Sequence, residues 1–200
     1  MLSRKLSLAF ALVSLVAGAA AAAAQDLHPS RRPSPMGMAR ITLDDTYVRV
    51  VYSRPYERGR ENIFGGEESG ALVPFGKVWR TGANEATEIT VTGDVLVAGQ
   101  PLASGTYSLF TTPGAEQWQV HFNSALGLSG AGYFADGEFT PIDLDATNAL
   151  TVTAAAKALP EEEKVEQLTL SFDRTGERSA DMVLRWITTE LRVPISLAGD

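Results

Sequence analysis

The sequence predicts an all-β fold: a single-domain antiparallel β-sandwich of about 8–10 strands, preceded by a signal peptide. Short segments alternate apolar and polar side chains, which is typical of strands with one buried face. Glycine, proline, asparagine and aspartate separate these segments at short intervals. After residue 24 no segment keeps the 3.6-residue apolar period of an amphipathic helix. The order of the strands, jelly-roll or immunoglobulin-like, stays open.

Residues 1–24 have the pattern of a secretory signal peptide. Arg4 and Lys5 precede an apolar stretch, and small residues end at Ala24, before Gln25. An uncleaved anchor is the alternative, but the apolar part is short for a membrane span and rich in alanine. We therefore expect a periplasmic or secreted protein.

Composition excludes several classes of function. The chain contains no cysteine, so disulfides and cysteine catalysis are impossible. Its net charge is −7, and loss of Arg4 and Lys5 with the signal would leave −9. An acidic chain is a poor partner for nucleic acid or an anionic membrane surface. The two histidines, His28 and His121, cannot form a three-histidine zinc site. We expect no metal and no cofactor.

The first elements follow from the pattern of the chain. Residues 25–38 contain three prolines and little to bury, so they are predicted to be an extended linker to a domain that covers residues 39–200. Residues 48, 50 and 52 then share an apolar face, as do residues 87, 89 and 91. The Gly93-Asp94 turn predicts a hairpin between this second strand and the strand at residues 95–97.

The second half of the chain predicts further strands. Pro113-Gly114 separates strands at residues 106–112 and 117–123, and Trp118, Val120 and Phe122 are expected to face inward. Residues 126–137 are predicted to be a glycine-rich loop with one short strand at residues 133–134. Three more strands are centred near residues 152, 170 and 184. The last strand contains Pro194 and is therefore expected at a sheet edge.

The connection at residues 52–87 is the strongest candidate for a site. It contains five cations and six glycines, and such a long connection is uncommon without a function. Arginine side chains suit carboxylate, sulfate or phosphate, and a tryptophan can pack on a sugar ring. The predicted ligand-binding residues are Arg54, Arg60, Trp79, Arg80, Asn84 and Glu85. The open alternative is a structural clamp in which Glu57, Glu61, Glu85 and Glu88 pair with these arginines.

Catalytic patterns are weak. Residues 127–131 resemble a nucleophile elbow around Ser129, but the second glycine is an alanine. Asp136, Glu138, Asp143 and Asp145 do not have the spacing of a calcium loop. A hydrolase using Glu85 with Glu88, or Asp143, as paired carboxylates stays an alternative.

Residues 73–87, VPFGKVWRTGANEAT, follow Tyr52-Ser53-Arg54-Pro55, and residues 103–110 and 118–123 complete a recognisable pattern. Over residues 34–193 this pattern resembles the bacterial "domain of unknown function 2911" family. The resemblance implies an exported, mostly β protein with no established activity. Residues 64–72 form a longer loop than in the family, and His121 stands where an apolar residue is more usual.

The sequence therefore favours a non-catalytic, exported binding or envelope-associated domain with a cationic, glycine-rich loop. Its expected ligand is a small polar or anionic molecule or a glycan, and an envelope protein is an expected partner. No nucleic acid and no membrane span after cleavage are expected. A protein-interaction or assembly module is the main alternative, ahead of the carboxylate hydrolase.

Overall fold

The structure, a computed structural model, describes residues 28–198. The expected signal peptide lies outside the described residues. Within them, helical structure consists of four three-residue 3-10 turns, Pro29–Arg31, Glu67–Ser69, Asp145–Thr147 and Glu161–Glu163. No helix in this range is long and apolar enough to cross a membrane.

The described residues also form fifteen strands. They are β1 (Met36–Leu43), β2 (Thr46–Ser53), β3 (Phe64–Gly65), β4 (Val73–Pro74), β5 (Thr87–Val91), β6 (Val95–Val97), β7 (Gln100–Leu102), β8 (Gly105–Thr112), β9 (Gln117–Asn123), β10 (Gly132–Ala135), β11 (Glu138–Pro141), β12 (Asn148–Ala158), β13 (Val165–Gly176), β14 (Ser179–Ile187) and β15 (Thr189–Ser196). Strand β1 starts inside the segment 25–38 that the sequence predicts to be an extended linker.

Eleven strands form one antiparallel sheet, which confirms the all-β antiparallel class. Nine of them follow the order β1-β2-β5-β8-β9-β12-β15-β14-β13, and the short hairpin β6–β7 joins through β15. The sheet curls until β1 and β13 come close, so that it is nearly a barrel. Two small pairs lie apart from it, antiparallel β10–β11 and parallel β3–β4.

The alternation of the sequence correctly predicts the inner faces. Val48, Val50 and Ile89 are fully buried, as are Trp118 and Phe122 to within 1%. Asn123 is an exception, because the sequence places it on the outer face and it is buried. Residues 124–147 fold over this outer face, where the Asn123 amide donates to the carbonyl of Leu144 and accepts from the amide of Ala125.

The predicted hairpin between β5 and β6 is wrong. Strand β5 already has β2 on one side and β8 on the other, so neither of its edges is free. Strand β6 instead pairs with β7 and with the end of β15. A turn signal identifies a reversal of the chain but does not establish which strands pair across it.

The expectation that Pro194 marks a sheet edge is also wrong, because β15 lies inside the sheet between β12 and β14. The Pro194 carbonyl accepts a hydrogen bond from Ala98, in the β6–β7 turn. In a strand the N and the C=O of one residue point to the same side. The missing N–H of Pro194 therefore faces the place where β12 gives way to β6, and no ladder bond to β14 is lost.

The gap between the two ends of the sheet is closed by side chains. The Tyr52 hydroxyl accepts from the Leu170 amide at 2.8 Å and donates to the Leu170 carbonyl at 3.2 Å. Next to it, Arg54 Nε donates to the Leu168 carbonyl at 3.1 Å. A Cβ at Gly37 would lie 2.5 Å from Cδ of Arg54. Glycine in β1 therefore leaves the room that Arg54 needs to reach β13.

We predict that Tyr52→Phe lowers the free energy of unfolding by about 1–3 kcal/mol, because it leaves both polar groups of Leu170 without a partner. Urea unfolding of the folded protein measures this loss. Tyr47→Phe is the matched control, and it should change stability much less, since the Tyr47 hydroxyl has no hydrogen-bond partner among the described residues. Equal effects of the two substitutions would contradict the conclusion that side chains close the gap between β1 and β13.

Candidate functional site

The last part of the β2–β5 connection, residues 79–87, folds into a hydrogen-bonded turn against β8. Trp79 and Thr111 exchange two backbone hydrogen bonds, of 2.7 and 2.9 Å. The Thr81 hydroxyl donates to that of Thr111, and the Thr87 hydroxyl donates to the Thr81 carbonyl. Thr81 has a φ of 55°, which is costly for a β-branched residue. Such backbone strain is often found at functional sites.

Trp79 belongs to the core of the barrel. Its side chain stacks on Trp186 with ring centroids 5.8 Å apart. Phe64 contacts both of these rings edge-on, and Trp118 contacts the Trp79 ring edge-on. Its Nε1 donates to the Gly82 carbonyl at 3.0 Å. With 9% of its surface exposed, Trp79 offers little ring surface to a ligand.

Gly82 and Asn84 bind this turn to the end of β2. A Cβ at Gly82 would lie 2.8 Å from the Ser53 carbonyl oxygen, so only glycine permits the close approach. Asn84 has a φ of 56°, a conformation that asparagine tolerates better than most residues. Its Nδ2 donates to the Ser34 carbonyl and to the Ser53 hydroxyl, each at 3.1 Å.

A cleft with a volume of about 460 Å³ lies where this turn meets the N-terminal segment and residues 124–147. The lining residues are Arg32, Pro33, Ser34, Asn84, Glu85, Gly127, Ser129 and Phe134. A second, smaller core supports the residues around the cleft. In it, Ala86, Phe110 and Leu128 pack together on the outer face of the sheet. The Ala86 amide also donates to the Leu128 carbonyl at 2.8 Å.

One ion pair crosses the cleft. Arg32 Nη1 contacts Glu85 Oε1 at 2.5 Å. Burial raises the pKa of the Glu85 carboxyl, but the hydrogen bond from Arg32 and the charges of Arg32 and Arg80 outweigh it and hold the pKa below its usual value. Glu85 is therefore ionised at neutral pH and can only accept hydrogen bonds. Behind it, Glu88 accepts from the Gly127 amide at 3.1 Å.

Arg80 is the unusual cation of this region. Its guanidinium is half-buried, and its Nε is buried without a hydrogen-bond partner among the described residues. Burial lowers the pKa of Arg80, and the charge of Glu85 offsets this only partly. The Arg80 and Glu85 side chains are thus close enough for their charges to interact. A buried donor without a partner costs about 1–3 kcal/mol, more when it is charged.

The structure separates the predicted site residues. Asn84 and Glu85 line the cleft, and Arg80 lies near Glu85. Arg54 instead lies at the gap between β1 and β13, where it donates to the Leu168 carbonyl and to the Thr169 hydroxyl. Arg60 is exposed and donates to the carbonyl of Tyr56 in its own turn. Trp79 is in the core, so three of the six predicted residues are found at or near the cleft.

Sequence reasoning did not assign six of the eight lining residues to this cleft, and Arg32, Ser129 and Phe134 are three of the six. Arg32 stands in the proline-rich segment, and no local pattern connects it to Glu85, 53 positions away. Ser129 and Phe134 come from the excursion that covers the outer face of the sheet. The Tyr133-Phe134 strand is present as part of β10. Nothing in the sequence shows that its Phe134 reaches a cleft.

His121 is half-buried between two threonines rather than exposed on its strand. Its Nε2 lies 2.9 Å from the Thr112 hydroxyl and its Nδ1 lies 2.9 Å from that of Thr151. Burial lowers its pKa, against the opposing charge of Asp145. Both ring nitrogens are thus engaged away from Ser129. Among residues 28–198 no group of three or more His, Cys, Asp or Glu side chains could hold a metal ion.

The comparisons with known proteins bear on the whole domain rather than on the cleft. The model of one family, described as a protein of unknown function (DUF2911), matches residues 34–195. No curated protein and no solved structure matches the chain significantly.

We predict that the Arg32–Glu85 pair stabilises the fold only where Glu85 is ionised. Its folded-state pKa is lowered from 4.5, so this contribution is present above that pH and is lost as pH falls through the folded-state pKa. Urea unfolding should therefore show Glu85→Gln less stable than the wild type near neutral pH and equal to it in strong acid. Glu68→Gln, an exposed control, should match the wild type throughout. A stability difference for Glu85→Gln that persists in strong acid would contradict this assignment.

Proposed function

The chain belongs to the DUF2911 family, whose function is unknown, and we propose that it is an exported, non-catalytic binding domain whose cleft holds a small polar ligand with an anionic group. Export is proposed from the signal-like pattern of residues 1–24. The binding proposal rests on the cleft that contains Asn84 and Glu85 and on the cation beside it.

The single observation that supports an anionic ligand is the state of Arg80. Its guanidinium has lost part of its hydration and has gained no hydrogen-bonded partner in the described part of the chain. A ligand carboxylate, sulfate or phosphate would supply an acceptor to the guanidinium in a charge-assisted hydrogen bond. Binding would then offset the remaining cost of burying this cation, which the charge of Glu85 compensates only in part.

The carboxylates of the cleft do not favour the hydrolase alternative. A carboxylate pair that cleaves a glycoside needs one protonated acid. Glu85 is held ionised by Arg32, and Glu88 is engaged by the Gly127 amide. Because Glu85 does not supply the protonated acid and Glu88 is not among the residues that line the cleft, this geometry supports binding without turnover.

A protein-interaction module is the second candidate, and one observation favours it. The β10–β11 hairpin exposes three aromatic side chains, Tyr133, Phe134 and Phe139, with 44–51% of each accessible. Exposed aromatic clusters often mark contact surfaces. Light scattering over a range of concentrations tests this candidate, since self-association would raise the mass.

We predict that one member of a panel of acetate, sulfate, phosphate and sugar acids raises the melting temperature of the wild type. At one hundred times its Kd, a ligand adds about 2.7 kcal/mol, or roughly 5–10 °C for a domain of this size. Arg80→Met should abolish the shift because it removes the guanidinium and keeps most of the stem.

Arg49→Met is the matched control for that experiment. Arg49 is exposed on β2, opposite Arg40, and makes no hydrogen bond or ion pair with the described residues. It should retain the full shift. The proposal is wrong if no anion stabilises the wild type, or if Arg80→Met responds as strongly as Arg49→Met.

A further inference from the structure

The β10–β11 hairpin has an aromatic face that borders the cleft. Phe134 and Phe139 are directly opposite each other in the hairpin register, so they lie on the same face. A Cβ at Gly132 would lie 2.7 Å from Cζ of Phe139, so the absence of a side chain there leaves space for this ring. Phe134 lines the cleft with 48% of its surface exposed. Tyr133 belongs to the opposite face.

Polar groups with unused hydrogen-bonding capacity lie on the same cleft wall. The Asn84 amide uses Nδ2 for Ser34 and Ser53, and its Oδ1 has no hydrogen bond from the described residues. The Glu85 carboxylate accepts from Arg32 and from its own backbone amide, and its two oxygens have lone pairs for further donors. The Ser129 hydroxyl is without a hydrogen bond in this part of the chain. These two acceptors and one hydroxyl are suited to a ligand that carries several hydroxyl groups.

An exposed aromatic ring next to such polar groups suits the two surfaces of a sugar. The C–H face of a pyranose can cover the Phe134 ring, while its hydroxyls bond to amide, carboxylate and hydroxyl groups. A small inorganic anion would satisfy Arg80 but would leave Phe134 bare. A neutral sugar would cover Phe134 but would leave Arg80 without an acceptor. The volume of about 460 Å³ is in the range of sites for small organic ligands.

We infer that the ligand is an acidic sugar, a pyranose that packs on Phe134 and directs a carboxylate to Arg80. This inference rests on the proposed function, because it assigns the chemistry of the same cleft. Asn84, Glu85 and Ser129 bind the ring hydroxyls. The sugar is either free or the end of an acidic glycan, since both sources present the same group.

The test compares glucuronate and galacturonate with acetate and glucose, which each carry half of the chemistry. Calorimetry on the wild type should show at least one sugar acid binding at least tenfold more tightly than either half-probe. Phe134→Ala should weaken this binding by about three- to tenfold, the effect of losing one aromatic contact. It should leave acetate binding unchanged, and Arg80→Met should abolish both.

Tyr133→Ala is the matched control, since it removes an equally exposed aromatic from the opposite face of the hairpin and should leave every affinity unchanged. If acetate binds through Arg80 and no sugar acid binds more tightly, the inference is overturned while the proposed function survives. If no probe binds, both are wrong. If Phe134→Ala changes only the mass in light scattering, the hairpin contacts protein and the inference fails. A short oligogalacturonate that binds more tightly than the monomer would identify a glycan as the source.

Discussion

The free edge of β13 finds its hydrogen-bond partners in two side chains, the Tyr52 hydroxyl and the Arg54 guanidinium. A curled sheet that stops short of closure leaves polar backbone groups at both ends, and buried groups of this kind must be satisfied. Here β2 reaches past the glycine of β1 to supply them. The backbone continues the closure, since Leu168 donates to Pro55 and Glu57 donates to Glu166. The long β2–β5 connection therefore starts from a fixed point on the opposite end of the sheet.

That fixed start divides the connection into parts with different roles. Arg54 acts as a clamp, and Trp79, Thr81 and Gly82 build the turn that packs on β8 and Ser53. The sequence suggested a different clamp, in which the arginines of the connection pair with its glutamates. In the structure Glu57 pairs with Lys164 and Glu85 pairs with Arg32. Asn84 and Glu85 then line the cleft, and Arg80 lies near Glu85 with its Nε buried and without a hydrogen-bond partner among the described residues.

Local patterns predicted the faces of the strands well, because alternation depends only on neighbouring residues. Residues such as Val50, Ile89 and Trp118 are buried as their period requires. The pairing partners of the strands were harder to predict from local patterns. The β5–β6 reversal and Pro194 were misplaced, since the partners that decide them, β8 and the β6–β7 turn, are set by the whole sheet. The cleft could be predicted only in part for the same reason. Asn84 and Glu85 belong to one sequence motif, but Arg32 and Phe134 come from segments that are distant in the sequence.

Arg54 has its hydrogen-bond partners within the fold, whereas Arg80 has none among the described residues and is proposed to receive one from a ligand. The free energies of unfolding of Arg54→Met and Arg80→Met, measured without added ligand in a buffer of low ionic strength, test this difference. Arg54→Met should be less stable than the wild type by about 1–3 kcal/mol, because it leaves the Leu168 carbonyl unpaired. Arg80→Met should be as stable as the wild type or more stable, because it removes a buried charge that has no hydrogen-bonded partner. A loss of stability in Arg80→Met as large as that in Arg54→Met would show that both arginines are structural, and it would contradict a ligand-binding role for Arg80.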